Sequence, residues 1–409
     1  MSQPLEKILT LTDIDEITDM LSTYLKKPIV IESDQFSLLS YSSFYIDQFD
    51  QANQQTIFTK RWPISILEKF MDEGIVEQLK SIPEPFRVKQ LQSIGLNQRV
   101  VVSAKYKEII FGYIWVQETN TLLTDNELKF LHEVSFHIGM LLYQKNQLKL
   151  CKDEEKDQFY KKIIQKTYQT ENQIKWEASN SKIIIPDAFI INVFTVDQNN
   201  ENTFDALTET VRLFANALNQ TTHIFTDQFK IIVIIGNTSW NPVQLSESAN
   251  ELTHTVLSQF KTQKVFSGIG SAYSSILQLS KSYEEALEVI NAAKFMGSPK
   301  LFTYEYKKLG VLRYLETIYR HQSQASTINE DLLILKKKDL ESQTNLLKTL
   351  EVFLLNNCRL KPTADQLFIH INTLKYRIKQ ITDLTGIDFD DFNTRCQLFI
   401  DVQLMKREI

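Results

Sequence analysis

The sequence predicts a multidomain α+β chain that closes in an all-α segment. Its 409 residues are enough for two or three domains. Up to about residue 305, short runs rich in Val, Ile and Phe recur between segments of helical spacing, as expected of sheets with helices packed on them. From 306 to 409 only helical spacing remains.

Hydrophobic residues make up 43% of the chain, ample for buried cores, and the net charge is −5. No apolar run approaches a membrane span, and the opening MSQPLEKILTLTDIDEI is charged and has no signal-peptide core. Cys151, Cys358 and Cys396 are far apart and form no paired motif, which fits a reducing cytoplasm, the expected location. No metal, cofactor, catalytic centre or membrane partner is expected. His132 and His137 are five apart, which is not a metal-ligand spacing on a helix. Gly268 and Gly270 in SGIGSAY lack the third glycine of a dinucleotide loop, and no phosphate-loop Gly-Lys-Ser/Thr occurs. A nucleophile elbow and a kinase set are missing too.

The first domain is expected over 1–145. Ile14, Ile17, Leu21 and Leu25 recur at helical spacing behind a candidate cap, Asp13, and Pro28 stops the run. PIVIES and FSLLSYS read as strands, followed by a mixed insert with a helix at Ile64–Leu79 and the turn SIPEPF. Arg99–Ala104 and Glu108–Val116 read as two strong strands, and Thr124 to Glu127 as the cap of a long helix from Leu128. On the last strand, alternation puts Ile109, Phe111, Tyr113 and Trp115 on one face. Such aromatic residues serve either as core or as a ligand box. A small anion or zwitterion would need a cation, for which Arg61, Arg87 and Arg99 are candidates. Each of these could equally form a surface salt bridge.

This order of elements resembles a GAF domain, with RVVVSAKYKEIIFGYIWVQETNTLLTDNELKFLHEVSFHIGMLL similar to its second half. The resemblance implies a ligand pocket on one sheet face, roofed by the insert. The expected ligand-binding residues are Arg61, Trp62, Arg99, Phe111, Tyr113 and Trp115.

A helical connector follows over 146–181. Leu131, Val134, Ile138, Leu141 and Leu148 form a heptad-like seam leading into it. The seam either pairs with its copy in a homodimer or packs on its own domain; the dimer is the preferred reading.

The middle domain is expected over 182–305. It alternates a strand (KIIIPDAFIINVFTVD), a helix, a hairpin into a buried strand (HIFTDQFKIIVIIGN), a helix, a strand and a helix. GIGSAYSSILQLSKSYEEALEVINAAK resembles the central domain of PucR/CdaR regulators, a relative of the diguanylate cyclase fold. The cyclase signature would fall on the hairpin, where the chain reads Phe225-Thr226-Asp227-Gln228-Phe229. The glycines are bulky there and the second carboxylate is an amide, so no cyclase activity is expected.

A helical bridge (306–340) leads to a closing domain (341–409). In KPTADQLFIHINTLKYRIKQITDLTG, Pro362 and Thr363 are read as opening a first helix, with Ala364 and Leu367 on one face. Phe368-Ile369-His370 forms a turn. Leu374, Ile378 and Ile381 make the buried stripe of a second helix, ended by Gly386. Four Lys/Arg stand against one acid between 361 and 381 in an acidic chain, which points to a local phosphate partner or to a solvated basic face. HINTLKYRIKQI followed by LTGID resembles the helix-turn-helix domain of the PucR/CdaR family, over about 60 residues. A basic residue usual between the His and the Asn is here Ile371. The resemblance puts His370, Asn372, Thr373, Lys375, Tyr376, Arg377 and Lys379 at double-stranded DNA, with Arg377 able to read guanine. It implies a regulator, usually an activator, of a catabolic operon. The GAF-like sensor points to proline or another amino acid as effector; purine catabolites or sugar acids are the alternative.

Overall fold

A computed structural model describes residues 3–197, 200–297, 303–325 and 329–405, with the side chains of 3, 148–151 and 323–325 outside the description. Leu148 and Cys151, singled out above, therefore lie outside the described side chains. The chain divides into two compact units, Met1–Ala286 and Leu287–Ile409.

The first unit opens with α1 (Gln3–Ile8) and α2 (Ile14–Leu25), the latter capped by Asp13, whose carboxylate accepts from the Asp15 and Glu16 N–H groups. Next come β1 (Ile29–Ser33), β2 (Leu38–Tyr41), α3 (Gln51–Thr59), α4 (Ile64–Asp72), α5 (Ile75–Ser81), β3 (Phe86–Val88), β4 (Arg99–Tyr106) and β5 (Ile109–Gln117). The single helix expected over 64–79 is two, because Gly74 turns the chain at φ +67°. Among the described residues the strands form an antiparallel sheet in the order β2-β1-β5-β4-β3.

One sheet face carries Ile29, Ile31, Val100, Val102, Ile114 and Val116, buried with Leu21 of α2. Against the same face lies α6 (Asp125–Ile164), opened by a Thr124–Glu127 capping box. Its Leu131, Val134 and Ile138 are fully buried in that core. This corrects the preferred reading of the heptad-like seam: the same spacing that suits a partner helix here covers the chain's own sheet. Helix and strand approach closely at Gly139, where a Cβ would meet the Lys105 carbonyl at 2.3 Å. Gly139→Ala is expected to lower stability by about 1–3 kcal/mol, measurable by thermal melting.

The helix then runs on without a break, so a boundary at 145 would fall inside it. Its later turns reach the second sheet, with Tyr160 against His223 at 5.1 Å between ring centres. After α7 (Glu171–Asn180), that sheet is built from β6 (Ala188–Val196), α8 (Glu201–Asn216), β7 (Thr221–Asp227), β8 (Lys230–Asn237), α9 (Pro242–Gln259), β9 (Val265–Ile269) and α10 (Leu279–Phe295). The strands pair antiparallel as β7-β8-β6-β9, a split β-α-β-β-α-β arrangement. Asp227 pairs with Lys230 across a two-residue turn at Gln228-Phe229, with Gln228 at φ +52°.

Among the described residues the elements of the second unit are all helices, including α11 (Tyr306–Leu309), α12 (Leu315–Ala325), α13 (Glu330–Ser342), α14 (Leu346–Leu355), α15 (Leu360–Leu367), α16 (Ile371–Thr385) and α17 (Phe392–Met405). Leu332 and Leu335 of α13 share a core with Leu346 and Leu350 of α14, Ile381 of α16 and Leu398 of α17. A boundary at 340 therefore falls inside α13, which belongs to the packed bundle and not to a free bridge. Val289, Leu309, Leu312, Leu315 and Leu404 form a second cluster.

Candidate functional site

α15 and α16 are joined by a tight turn. α15 begins at Leu360, earlier than Pro362 and Thr363 suggested. Thr363 is buried inside the helix, its hydroxyl donating to the Arg359 carbonyl at 2.6 Å, so it does not cap the helix. Phe368 closes α15 at φ +54°. His370 caps α16, its Nδ1 accepting from the Asn372 N–H at 3.2 Å. Leu374 and Ile381 are buried, which turns the opposite side of α16 outward. Asn372, Thr373, Lys375, Tyr376 and Lys379 are exposed there. Asn372, Tyr376 and Lys379 follow one line at i, i+4 and i+7. That line offers an amide, a phenol and an ammonium, suited to base edges and phosphates. Arg377 is half-buried and donates from Nη1 to the Thr349 hydroxyl of α14 at 3.2 Å, so it also braces the bundle.

The second candidate lies on the other face of the first sheet, under the 36–96 insert. Phe36, Trp62, Phe70, Tyr113 and Trp115 are buried there in mutual ring contact. The Arg99 guanidinium sits 5.9 Å from the Trp62 ring centre and 6.0 Å from that of Trp115. Arg99 is fully buried and already paired: it donates to the Asp50 carboxylate, to Asn53 Oδ1 at 3.0 Å and to the Asn97 carbonyl at 3.2 Å. Asp50 also accepts from the Asn53 and Asn97 N–H groups, at 2.9 and 2.7 Å. The group without a partner is an acid that sequence reasoning passed over. Glu32 is 0% exposed, and both of its carboxylate oxygens lack a hydrogen bond. The indole N–H groups of Trp62 and Trp115 face it, yet close no well-formed hydrogen bond. Burial pushes the Glu32 carboxyl up to about 8, against the opposing pull of the two indoles and Arg99.

Two of the expected ligand residues, Arg61 and Phe111, stand elsewhere, as does the candidate cation Arg87. Arg61 points away from its neighbour Trp62; it donates to the Asn216 and Leu218 carbonyls at the end of α8. A cation suits that helix terminus, where carbonyls are left without intrahelical donors. Phe111 belongs to the helix-covered face, in edge contact with Tyr143 of α6 at 5.5 Å. A β-bulge explains it: Ala104 pairs with Gly112 but Lys105 with Ile110, so Phe111 is an extra residue that breaks the alternation. Arg87 forms a salt bridge with Glu118 at 3.1 Å. Trp62, Arg99, Tyr113 and Trp115 are brought together.

Residues 346–404 match the PucR C-terminal helix-turn-helix domain, and residues 170–292 a GGDEF-like domain. The whole chain aligns with the whole of the proline-responsive transcriptional activator PutR of Bacillus subtilis (strain 168) at 45% identity. This chain belongs to the PucR/CdaR family of transcription regulators. Another member, the DNA-binding transcriptional activator AdeR of the same organism, is 27% identical over 97% of this chain and 94% of its own length. The Bacillus subtilis purine catabolism regulatory protein is 24% identical over 66% of this chain and 52% of its own length. The PucR/CdaR regulator is thus a DNA-binding protein and not an enzyme. Its GGDEF-like sheet keeps the hairpin, with Phe225 and Thr226 where the cyclase signature has its glycines and Gln228, at the turn, where it has its second carboxylate. Among the described residues no three His, Cys, Asp or Glu side chains are grouped to hold a metal, and no helix is long and apolar enough to cross a membrane.

Proposed function

We propose that this regulator activates a catabolic operon in response to proline, sensed by the GAF-like region of the first unit. The alignment with PutR carries the reading: it extends over the sensor as well as the DNA-binding domain, so the sensing half is related too. A buried aromatic box with an unpaired acid suits a compact amino acid better than a purine catabolite or a sugar diacid, whose polar edges would find few partners among aromatic rings. The test is a reporter driven by the operator this chain binds: induction by proline, and not by purine catabolites or sugar acids, is the expected result.

In this proposal α16 enters the major groove of double-stranded DNA. Asn372 and Thr373 face bases, Lys375, Tyr376 and Lys379 face the backbone, and His370 fixes the start of the helix. Two copies, as a homodimer in the cytoplasm, would engage paired half-sites. Lys379→Ala is expected to weaken binding about equally across operator sequences and to reduce the salt slope by about 1. Asn372→Ala is expected to cost roughly 1–3 kcal/mol and to relax preference at one base pair. Titrations at several salt concentrations separate the two.

A further inference from the structure

Three buried polar groups converge inside the aromatic box: the Glu32 carboxyl and the Trp62 and Trp115 indole N–H groups that face it, none of them in a well-formed hydrogen bond. Glu32 lies on β1 opposite Tyr113, two residue pairs from Val30–Trp115 in the ladder with β5. Side chains alternate along the strand, so Glu32 shares the insert-side face with Tyr113 and Trp115. Trp62 comes from the insert on the far side, 6.1 Å from Trp115 between ring centres. Buried polar atoms in native cores are nearly always satisfied. An acceptor and two donors left open at one place define the complement that is absent: an N–H cation beside an anionic acceptor.

We propose that Glu32 binds the ammonium group of a small zwitterionic amino acid whose carboxylate is held by the Trp62 and Trp115 indole N–H groups. The proposal rests on the effector reading above and deepens it. Arg99 cannot replace the indoles as direct carboxylate ligand without leaving Asp50, but its charge lies beside both rings and favours an anion there. The aromatic faces favour a cation over a neutral amine and cover an apolar body. A secondary ammonium, with two N–H bonds, matches the two open oxygens of Glu32. A carboxylic acid without nitrogen, or an amine without a carboxylate, satisfies one half only.

The test is calorimetric titration of the full chain with L-proline, pyrrolidine, tetrahydrofuran-2-carboxylate and the other protein amino acids. Wild type is expected to bind L-proline, with pyrrolidine and the furan analogue each at least tenfold weaker. Glu32→Gln is expected to weaken L-proline binding about a hundredfold. Trp115→Phe, which keeps a ring and removes the N–H, is expected to weaken it with less effect on pyrrolidine. A single cooperative melting transition in either variant shows that loss of binding is not loss of fold. Wild-type binding of L-proline that survives Glu32→Gln overturns this inference and leaves the proline reading standing. Binding of a different amino acid that depends on Glu32 overturns the proline reading and supports the site. Failure of wild type to bind any of these compounds overturns both.

Discussion

Asp50→Ala is expected to lower the stability of the first unit by about 3–5 kcal/mol, because it leaves the Arg99 charge buried without a partner. The loss has several sources at one carboxylate. Asp50 receives the Arg99 guanidinium, caps α3 through the Asn53 N–H and holds the Asn97 N–H before β4. The Asn53 and Gln117 amides complete the network, with Asn53 Nδ2 donating to Gln117 Oε1 at 3.2 Å. Denaturant unfolding followed by tryptophan emission reads the effect. All four tryptophans lie in the first unit, and only Trp62 and Trp115 are buried, so the blue-shifted signal belongs to the box. Adding Arg99→Met to Asp50→Ala is expected to recover part of the loss, since it removes the orphaned charge. A wild-type midpoint in Asp50→Ala would show that the pair does not hold the insert on the sheet.

The second large effect is a pH dependence carried by Glu32. Its folded pKa of about 8 lies far above the ordinary value of 4.5, so the folded state retains a proton that the unfolded state has lost. The folded, ligand-free protein therefore loses stability as pH rises from about 4.5 to about 8, with a slope of at most about 1.4 kcal/mol per pH unit. The groups facing Glu32 are the Trp62 and Trp115 indoles, the Arg99 guanidinium, whose charge Asp50 offsets, and the Tyr113 phenol, itself pushed up by burial. Glu32→Met removes this slope, and at pH 8 it is expected to stabilise the protein by about 1–3 kcal/mol by eliminating an unsatisfied buried group. Comparing the two proteins at each pH cancels every other titration. A wild-type slope that persists in Glu32→Met would assign it elsewhere. An ammonium ligand makes Glu32 ionise, so binding at pH 7 is expected to release close to one proton, read from titrations in buffers of different ionisation enthalpy.

The parts of this molecule that follow local rules were legible in the chain. The turn at Phe368-Ile369-His370, the stripe Leu374–Ile381 and the cap at Gly386 follow from spacing and capping alone. The brace from Arg377 to Thr349 was not legible, because Thr349 lies 28 residues away on another helix. Phe111 was misread because one inserted residue reverses the alternation on which its placement rested. Arg61 and Trp62 are adjacent and point to different places, which no short-range pattern distinguishes. Glu32 did leave a trace: PIVIES has a lone acid in a strand whose neighbours are apolar on both faces. Its meaning required Trp62 and Trp115 to be brought to it from 30 and 83 residues along the chain. A zwitterion has a cationic end as well as an anionic one, and the acid that suits it, Glu32, sits on a strand rather than among the arginines.

An amino acid bound at Glu32 is expected to control what the α16 helix does on DNA. Transcription in vitro from the operator bound by this protein, with and without L-proline, tests it most directly when wild type is compared with Glu32→Gln. The expected result is proline-dependent transcription with wild type, and with Glu32→Gln no response to proline despite the same affinity for the operator. A Glu32→Gln protein that responds to proline as wild type does would contradict the account.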